Sequence, residues 1–442
     1  MIPAVGIIGG GISGTCIVLN LLKQARKPLH ILWFDAHDRF CKGLAYSTKE
    51  KSHLLNVRAG NMSVFTDEPD HFVKWLELHY PEYTATDFVP RNLFGVYVTD
   101  TYQALKESNK HLLITCKAEE VTAIDRIENT YRIHAKGTDE VHKIILALGN
   151  FLPANPPSRS NVFTQSTRYF RDAFHEGVIP CALAATSLTI IGAGLTMLDI
   201  VVALEASHYK GKITIISPHG YLPQAHTQLP EAPLVFSEPG HTYTLGQLYS
   251  RVKSRLKLAI QNGLNPQRVI DGMRPHLQEW WLRFTFEEKK RFLRHLRHKW
   301  GVARHRAPLP TIGVIKQMLQ NQQLTVIKGR IFTIETDEEG FTVSYSGKGK
   351  TGASFKTEVL INCTGPEPDI TKTESPLLKQ LINNGLISSD ELGYGIRAHR
   401  TGKISENIYT IGPPLKGLLW ESTAVPEIRL QAKELASEII LD

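Results

Sequence analysis

The apolar residues of this chain fall in short runs that repeatedly end on glycine. Residues 5–8 are the first such run, and their unbroken apolarity predicts a parallel strand buried on both faces. The run meets Gly9, Gly11 and Gly14, and a helical pattern continues through Leu22. A second run, 29–34, ends on Asp35, about twenty residues beyond the last glycine. Strand, glycine turn, helix, strand and acid thus follow in the order of a dinucleotide-binding unit. In such a unit the first glycine permits the tight turn, the second admits a diphosphate to the backbone, and the third lets helix pack on strand. The helix N-terminus offers N–H groups and positive dipole to phosphates, while the acid accepts from ribose hydroxyls. The predicted contacts are Gly9, Gly10, Gly11, Ile12, Ser13, Gly14 and Asp35.

The pattern recurs in Leu188-Thr-Ile-Ile-Gly-Ala-Gly-Leu-Thr-Met-Leu-Asp199, where Gly192, Gly194 and Thr196 are the candidate contacts. Met197 stands where the third glycine would be, so the helix is expected to sit further from its strand or bind less closely. The next strand, 212–216, leads to Ser217 and His219 with no acid at its end. That favours a nucleotide carrying a 2′-phosphate over one with a bare hydroxyl.

Each unit has a similar sequel. Runs at 112–115, 121–124 and 130–134 alternate like a short antiparallel meander, and a returning strand at 144–148 meets Gly149. In the second half the runs 324–328, 331–335 and 341–345 repeat the meander, and 359–362 returns to Thr364 and Gly365. The expected fold class is α/β, with two Rossmann-like dinucleotide-binding domains and a helical insertion. The expected boundaries are 1–160 with 361–442, 161–243 with 307–360, and 244–306 for the insertion.

Composition narrows the picture. No apolar run reaches membrane-spanning length, and no basic stretch precedes the apolar start, so a cytosolic protein is expected. Five scattered cysteines without a C-x-x-C argue against a disulfide framework, a zinc site or a dithiol centre, and no metal is expected. The charge is uneven. Between Arg251 and Arg306 lie fifteen Lys or Arg residues and four acids, an excess above the +8 of the whole chain. Helical spacing and three tryptophans (Trp280, Trp281, Trp300) mark the same stretch. Three roles fit it: a solvated basic face, a cover that steers an anionic substrate or nucleotide phosphate, or a surface for nucleic acid or anionic membrane.

Several segments resemble the FAD/NAD(P)-binding oxidoreductase family that includes the YdhS-like proteins. They are Gly43-Leu-Ala-Tyr46, Leu54-Leu-Asn-Val57, Phe88-Val-Pro-Arg91, Phe94-Gly-Val-Tyr97, Gly194-Leu-Thr-Met-Leu-Asp199, Arg304-His-Arg306, Asn362-Cys-Thr-Gly-Pro366 and Leu419-Trp-Glu-Ser-Thr-Ala-Val-Pro-Glu-Ile-Arg429. The resemblance implies a glutathione-reductase-like flavoprotein architecture with FAD on the first unit and NADPH or NADH on the second. It implies FAD contacts at Gly43, Leu44, Ala45, Tyr46, Asn56, Val121, Gly149, Gly365, Gly412, Ser422 and Thr423. Related flavoproteins close their last FAD strand with Gly-Asp; here Pro413 follows Gly412, so backbone groups or Glu421 must replace that carboxylate. Trp420, Glu421, His226, Arg304 and His305 are the candidate catalytic side chains. Trp420 is either a wall for the flavin or core, and His226 either an acid/base or structural. The expected activity is hydride transfer from NAD(P)H to FAD, and then to O2 or another acceptor, with monooxygenation of a small molecule as one outcome. The alternatives are a flavin oxidase or dehydrogenase reduced by its substrate, and a flavin-bound regulatory or nucleic-acid-binding protein.

Overall fold

The computed structural model describes residues 2–237, 240–347 and 352–441. Two parallel sheets organise them. The first has six strands in the order Lys403–Ser405, Ile408–Thr410, Lys143–Leu146, Ala4–Ile8, Leu29–Phe34 and Leu112–Lys117. All neighbours run parallel except the edge strand Lys403–Ser405. All five residues of Ala4–Ile8 are buried, as a strand covered on both faces requires. One face packs on the helices Ile12–Gln24 and Val425–Leu441, with Ile17, Leu21, Ile428 and Leu435 in their shared core. The other face is covered by a three-stranded antiparallel layer, Ala123–Ile127, Thr130–His134 and Thr138–Val141, and by the helix Pro376–Asn383.

The second sheet has five parallel strands in the order Leu324–Lys328, Lys212–Ser217, Ser187–Ile191, Val359–Asn362 and Tyr169–Phe170. Its own antiparallel layer is Arg330–Thr336, Phe341–Ser346 and Ala353–Thr357. In both halves the glycine strand lies between strands that follow it and strands that return much later. The crevice beyond its carboxyl end is therefore a topological switch point, where open α/β sheets bind ligands. The strand Val359–Asn362 belongs wholly to the second sheet, so the chain crosses back only after Asn362.

Two sequence expectations need correction. The runs 112–115 and 324–328 do not begin the meanders. Each follows a helix, Arg91–Ser108 or Leu309–Gln320, and pairs in parallel with Leu29–Phe34 or Lys212–Ser217. A helical crossover returns the chain in the direction it left, which makes these outer strands of the main sheets. The third meander strands, Thr138–Val141 and Ala353–Thr357, are largely polar and showed no apolar alternation.

Residues 245–304 form the helices Leu245–Gln261, Gln267–Met273, Leu277–Arg283, Phe286–His295 and Arg297–Arg304. Capping boxes, Thr244 with Gln247 and Thr285 with Glu288, start two of them. Their core is Phe236, Leu245, Leu248, Trp280, Trp281 and Trp420. Trp280 and Trp281 are 1% and 3% exposed, and their indole N–H groups donate to His241 and Gly417 carbonyls. These two cannot stack on bases, whereas Trp300 is half-buried.

Candidate active site

The first glycine turn is built by backbone contacts. Gly9 has φ of +117°, and a Cβ there would meet the Ala147 carbonyl; one on Gly14 would meet the Gly9 carbonyl. A Cβ on Gly10 would come within 2.8 Å of the Asp35 Cβ. These three glycines are thus demanded by the fold. Gly11 is not. It caps the helix Ile12–Gln24 with φ −72° and ψ −174°, a conformation open to any residue. A Cβ on it would find only Gly43 Cα, at an ordinary 3.7 Å.

Asp35 holds the turn together. Its Oδ2 accepts from Gly10 N at 2.9 Å, and its Oδ1 accepts from His37 N and Arg39 N at 3.0 Å each. Three of its roughly four lone-pair sites are filled, leaving one on Oδ2 for a hydroxyl. Gly43, at φ +53°, would place a Cβ 2.7 Å from Gly11 Cα, and a Cβ on Gly412 would meet Ser13 Oγ. Gly412 N donates to Gln431 Oε1 of the C-terminal helix at 3.1 Å. The turn with Ile12 and Ser13, the segment Gly43–Tyr46 and Gly412 thus converge on one groove. Leu44 and Ala45 are exposed beside it, and Tyr46 packs on Phe94 with ring centroids 4.7 Å apart. The side chain of Val121 is buried in the core under the meander, so it can offer a ligand only backbone. Around Gly149 and Gly365 the direction of a Cβ is open.

The second turn repeats the arrangement. Gly192 has φ of +105° with the Cys363 carbonyl against it, and Gly194 caps the helix Leu195–Ala206 in extended conformation with nothing within 4 Å. Thr196 is half-buried in the first turn of that helix. Met197 is fully buried in the core between helix and sheet, so its side chain leaves the groove clear. Ser217 Oγ accepts from Gly220 N at 3.1 Å. His219 stacks on Tyr221 and lies 4.4 Å, ring to ring, from His298. Burial, with Arg330, Lys328 and Arg297 nearby, holds the His219 imidazole below its ordinary pKa.

The candidate catalytic residues lie away from the two glycine turns. Trp420 is 8% exposed, with Trp281 at 4.9 Å and Phe292 at 5.1 Å. It belongs to the helical core and does not wall the groove. Glu421, also buried, accepts from Trp300 Nε1 at 2.9 Å and lies 3.7 Å from Arg304 Nε. Its carboxylate is held by the helix Arg297–Arg304 instead of facing a ribitol. His305 is reached by solvent but surrounded by protein, which lowers its pKa. Ser422 is fully buried with Oγ lacking a hydrogen-bond partner, whereas Thr423 is exposed.

His226 is a bridge. A carbonyl only accepts, so Nε2 must carry the proton it donates to Asn56 O at 3.0 Å. The ring packs on Phe88 at 4.9 Å, and burial pushes its pKa down to about 4. A neutral, committed imidazole is a poor general acid, so this catalytic assignment is withdrawn. The unfolded chain binds the proton near 6.5 and the folded one only near 4, so the stabilisation is full above 6.5 and is lost as pH falls towards 4. His298, also held near 4, acts in the same sense. His226→Gln should therefore reduce the fall of melting temperature between those pH values. An unchanged slope would exclude His226 as a source.

Comparison with known proteins bears on the fold. Residues 6–151 match the FAD-NAD(P)-binding family. No curated protein matches the chain. Among solved structures, the FAD-NAD(P)-binding segment and the rest of the chain superpose on the reduced ornithine hydroxylase of Pseudomonas aeruginosa. That match has TM-score 0.68 and 14% identity, covering 100% of this chain and 99% of the other. The FAD-bound cadaverine monooxygenase DfoA of Erwinia amylovora gives 0.68 and 15%, with 100% and 95% covered. The ornithine N-hydroxylase of Kutzneria sp. 744, with reduced FAD, NADP+ and L-ornithine, gives 0.64 and 14%, with 99% of each covered. At these identities the likeness is one of fold: the chain has the two-domain FAD/NAD(P) flavoprotein architecture. Among the described residues no helix is long and apolar enough to cross a membrane, and no group of three His, Cys, Asp or Glu could hold a metal.

Sequence reading missed the contact that joins the two halves of this FAD-NAD(P)-binding fold. Arg91 donates to both carboxylate oxygens of Asp199, at 2.7 and 2.9 Å, and His53 Nε2 donates to the Asp199 carbonyl at 3.0 Å. Both partners stood in quoted motifs. Nothing in one sequence could pair them, because they lie 108 positions apart.

Proposed function

We propose that the chain is an FAD-dependent oxidoreductase driven by a nicotinamide nucleotide, and of the monooxygenase type acting on a small molecule. Gly11 and Gly194 carry this reading. They cap equivalent helices in conformations that suit any residue, with free space where a side chain would stand. The fold does not need glycine at either place; a diphosphate lying against the backbone does. The residues present therefore fit two dinucleotides. The turn at Gly11 would hold FAD and the turn at Gly194 a nicotinamide nucleotide, which together would supply hydride-transfer chemistry with O2 as the acceptor. The chain's share is to orient both nucleotides: helix N-termini meet the phosphates, and Asp35 Oδ2 has a lone pair for a ribose. The full-length fold match to N-hydroxylating enzymes supports the monooxygenase type.

His219, Lys328, Arg330 and the helix residues Arg297 and His298 gather at the carboxyl end of Lys212–Ser217, where an adenosine 2′-phosphate would lie. This supports NADPH over NADH. Purified protein should be yellow, absorb near ~450 nm, bleach anaerobically with NADPH faster than with NADH, and recolour in air. Gly194→Val suits the extended backbone there and should keep the colour while slowing bleaching by at least about tenfold. Yellow protein that neither nucleotide bleaches, but a substrate does, would overturn the nicotinamide half.

A further inference from the structure

The helix Arg297–Arg304 lies across the segment 416–422, and the charges between them do not balance. Glu421 is the carboxylate that Arg304 approaches, and Trp300 already occupies its Oε1. Two other nearby acids add to the field at Arg304 but are each paired with another arginine: Glu427 with Arg274 at 2.9 Å, and Asp271 with Arg306. Glu427 Oε1 takes both Arg274 contacts. Against Glu421 stand Arg304 and Lys416, with Arg297 close enough to add to the field at Lys416. Arg304 Nε is buried with no hydrogen-bond partner. The Lys416 ammonium sits over the Trp420 ring, 5.2 Å from its centroid. His305 stands in the same field, reachable by solvent. Removing two cations from water against a single carboxylate costs several kcal/mol unless another anion joins them.

We propose that this cleft binds the anionic group of the small-molecule substrate, a carboxylate, through Lys416 and Arg304 with His305 at its mouth. The proposal rests on the oxidoreductase reading for the word substrate, but the binding is measurable without turnover. The cationic groups converge beside one aromatic ring, Trp420, as the few polar groups of small-molecule sites do. Charge-assisted hydrogen bonds to a carboxylate fix orientation as well as affinity. A ligand held here lies under the helical cover, beside Ser422 and the start of the helix Val425–Leu441.

Glutarate and its neutral analogue glutaramide are titrated into the holoprotein at constant ionic strength, read by tryptophan fluorescence. Trp300 and Trp420 report because they touch Glu421 and Lys416. Glutarate should give a saturable change and glutaramide none. Lys416→Gln should weaken glutarate at least tenfold, and Lys416→Arg should retain it. The proposal is overturned if glutarate fails to saturate, if glutaramide matches it, or if Lys416→Gln binds as the parent does. Displacement of glutarate by NADP+ would also overturn it, assigning the anion to the nucleotide phosphates. Should Lys416→Gln not fold, the glutarate–glutaramide contrast on the parent decides alone. Colour and bleaching recorded on the same sample keep failure of the flavin reading separate.

Discussion

Gly11→Ala is expected to give a folded protein that has lost its FAD. The extended backbone at Gly11 accepts alanine, and the new Cβ would make only an ordinary 3.7 Å contact with Gly43 Cα. Folding therefore has no reason to suffer, apart from a gain of a few tenths of a kcal/mol or more from a less flexible unfolded chain. The methyl group does occupy the surface a diphosphate would lie against, holding phosphates away from the helix N–H groups. Retained FAD should fall at least about tenfold, a loss beyond about 1.4 kcal/mol of binding. Gly14→Ala is the control with the opposite signature, because its Cβ drives into the Gly9 carbonyl. That variant should lose melting temperature first and cofactor only as a consequence. The measurement is flavin absorbance per chain beside a thermal melt of each variant after adding excess FAD. If Gly11→Ala binds FAD as the parent does, the groove over the first turn is not a diphosphate site.

This contrast also explains which parts of the molecule could be read from sequence. The glycine turns were legible because their requirement is local: a positive φ at Gly9 or Gly192 must be met by the residue itself. Buried parallel strands were legible for a similar reason, since an apolar run covered on both faces announces itself. The outer strands Leu112–Lys117 and Leu324–Lys328 were misplaced because membership of a sheet is decided by the partner. The basic segment could be read only in outline. Its fifteen bases are not simply a field, since Arg274, Arg283, Arg304 and Arg306 reach carboxylates. Counting charges along a chain cannot see that two of those acids, Glu421 and Glu427, come from far outside the segment. Trp420 likewise could be read as a wall for a ring system or as core, and only the helices that cover it, which arrive from elsewhere in the sequence, put it in the core. Lys416 carried no motif at all; only the fold reveals that it lies in the field of Glu421, which Arg304 also approaches.

Arg91→Met should be among the most destabilising single changes outside the glycine turns. Arg91 opens the helix Arg91–Ser108 just after Pro90, while Asp199 lies in the helix that Gly194 caps, so their pair ties one nucleotide fold to the other. The side chains are 16% and 11% exposed, and both Asp199 oxygens accept from the guanidinium. Truncating one member leaves a buried carboxylate unpaired, at a cost of about 3–5 kcal/mol. Arg91 Nε also donates to the Leu54 carbonyl at 3.0 Å, and that bond goes too. The double change Arg91→Met with Asp199→Leu removes both charges and should recover most of the loss, because an apolar pair needs no partner there. The His53 bond should survive it, since His53 is held by the Asp199 backbone carbonyl and not by the carboxylate. Melting temperatures of the parent, the two single variants and the double variant give the coupling directly. A functional signature should accompany the thermal one. FAD held on the first turn alone would be retained at low temperature, whereas flavin reduction would need both turns in register and should slow. A variant that melts with the parent and reduces its flavin at the parent rate would show that the two folds are joined by other contacts.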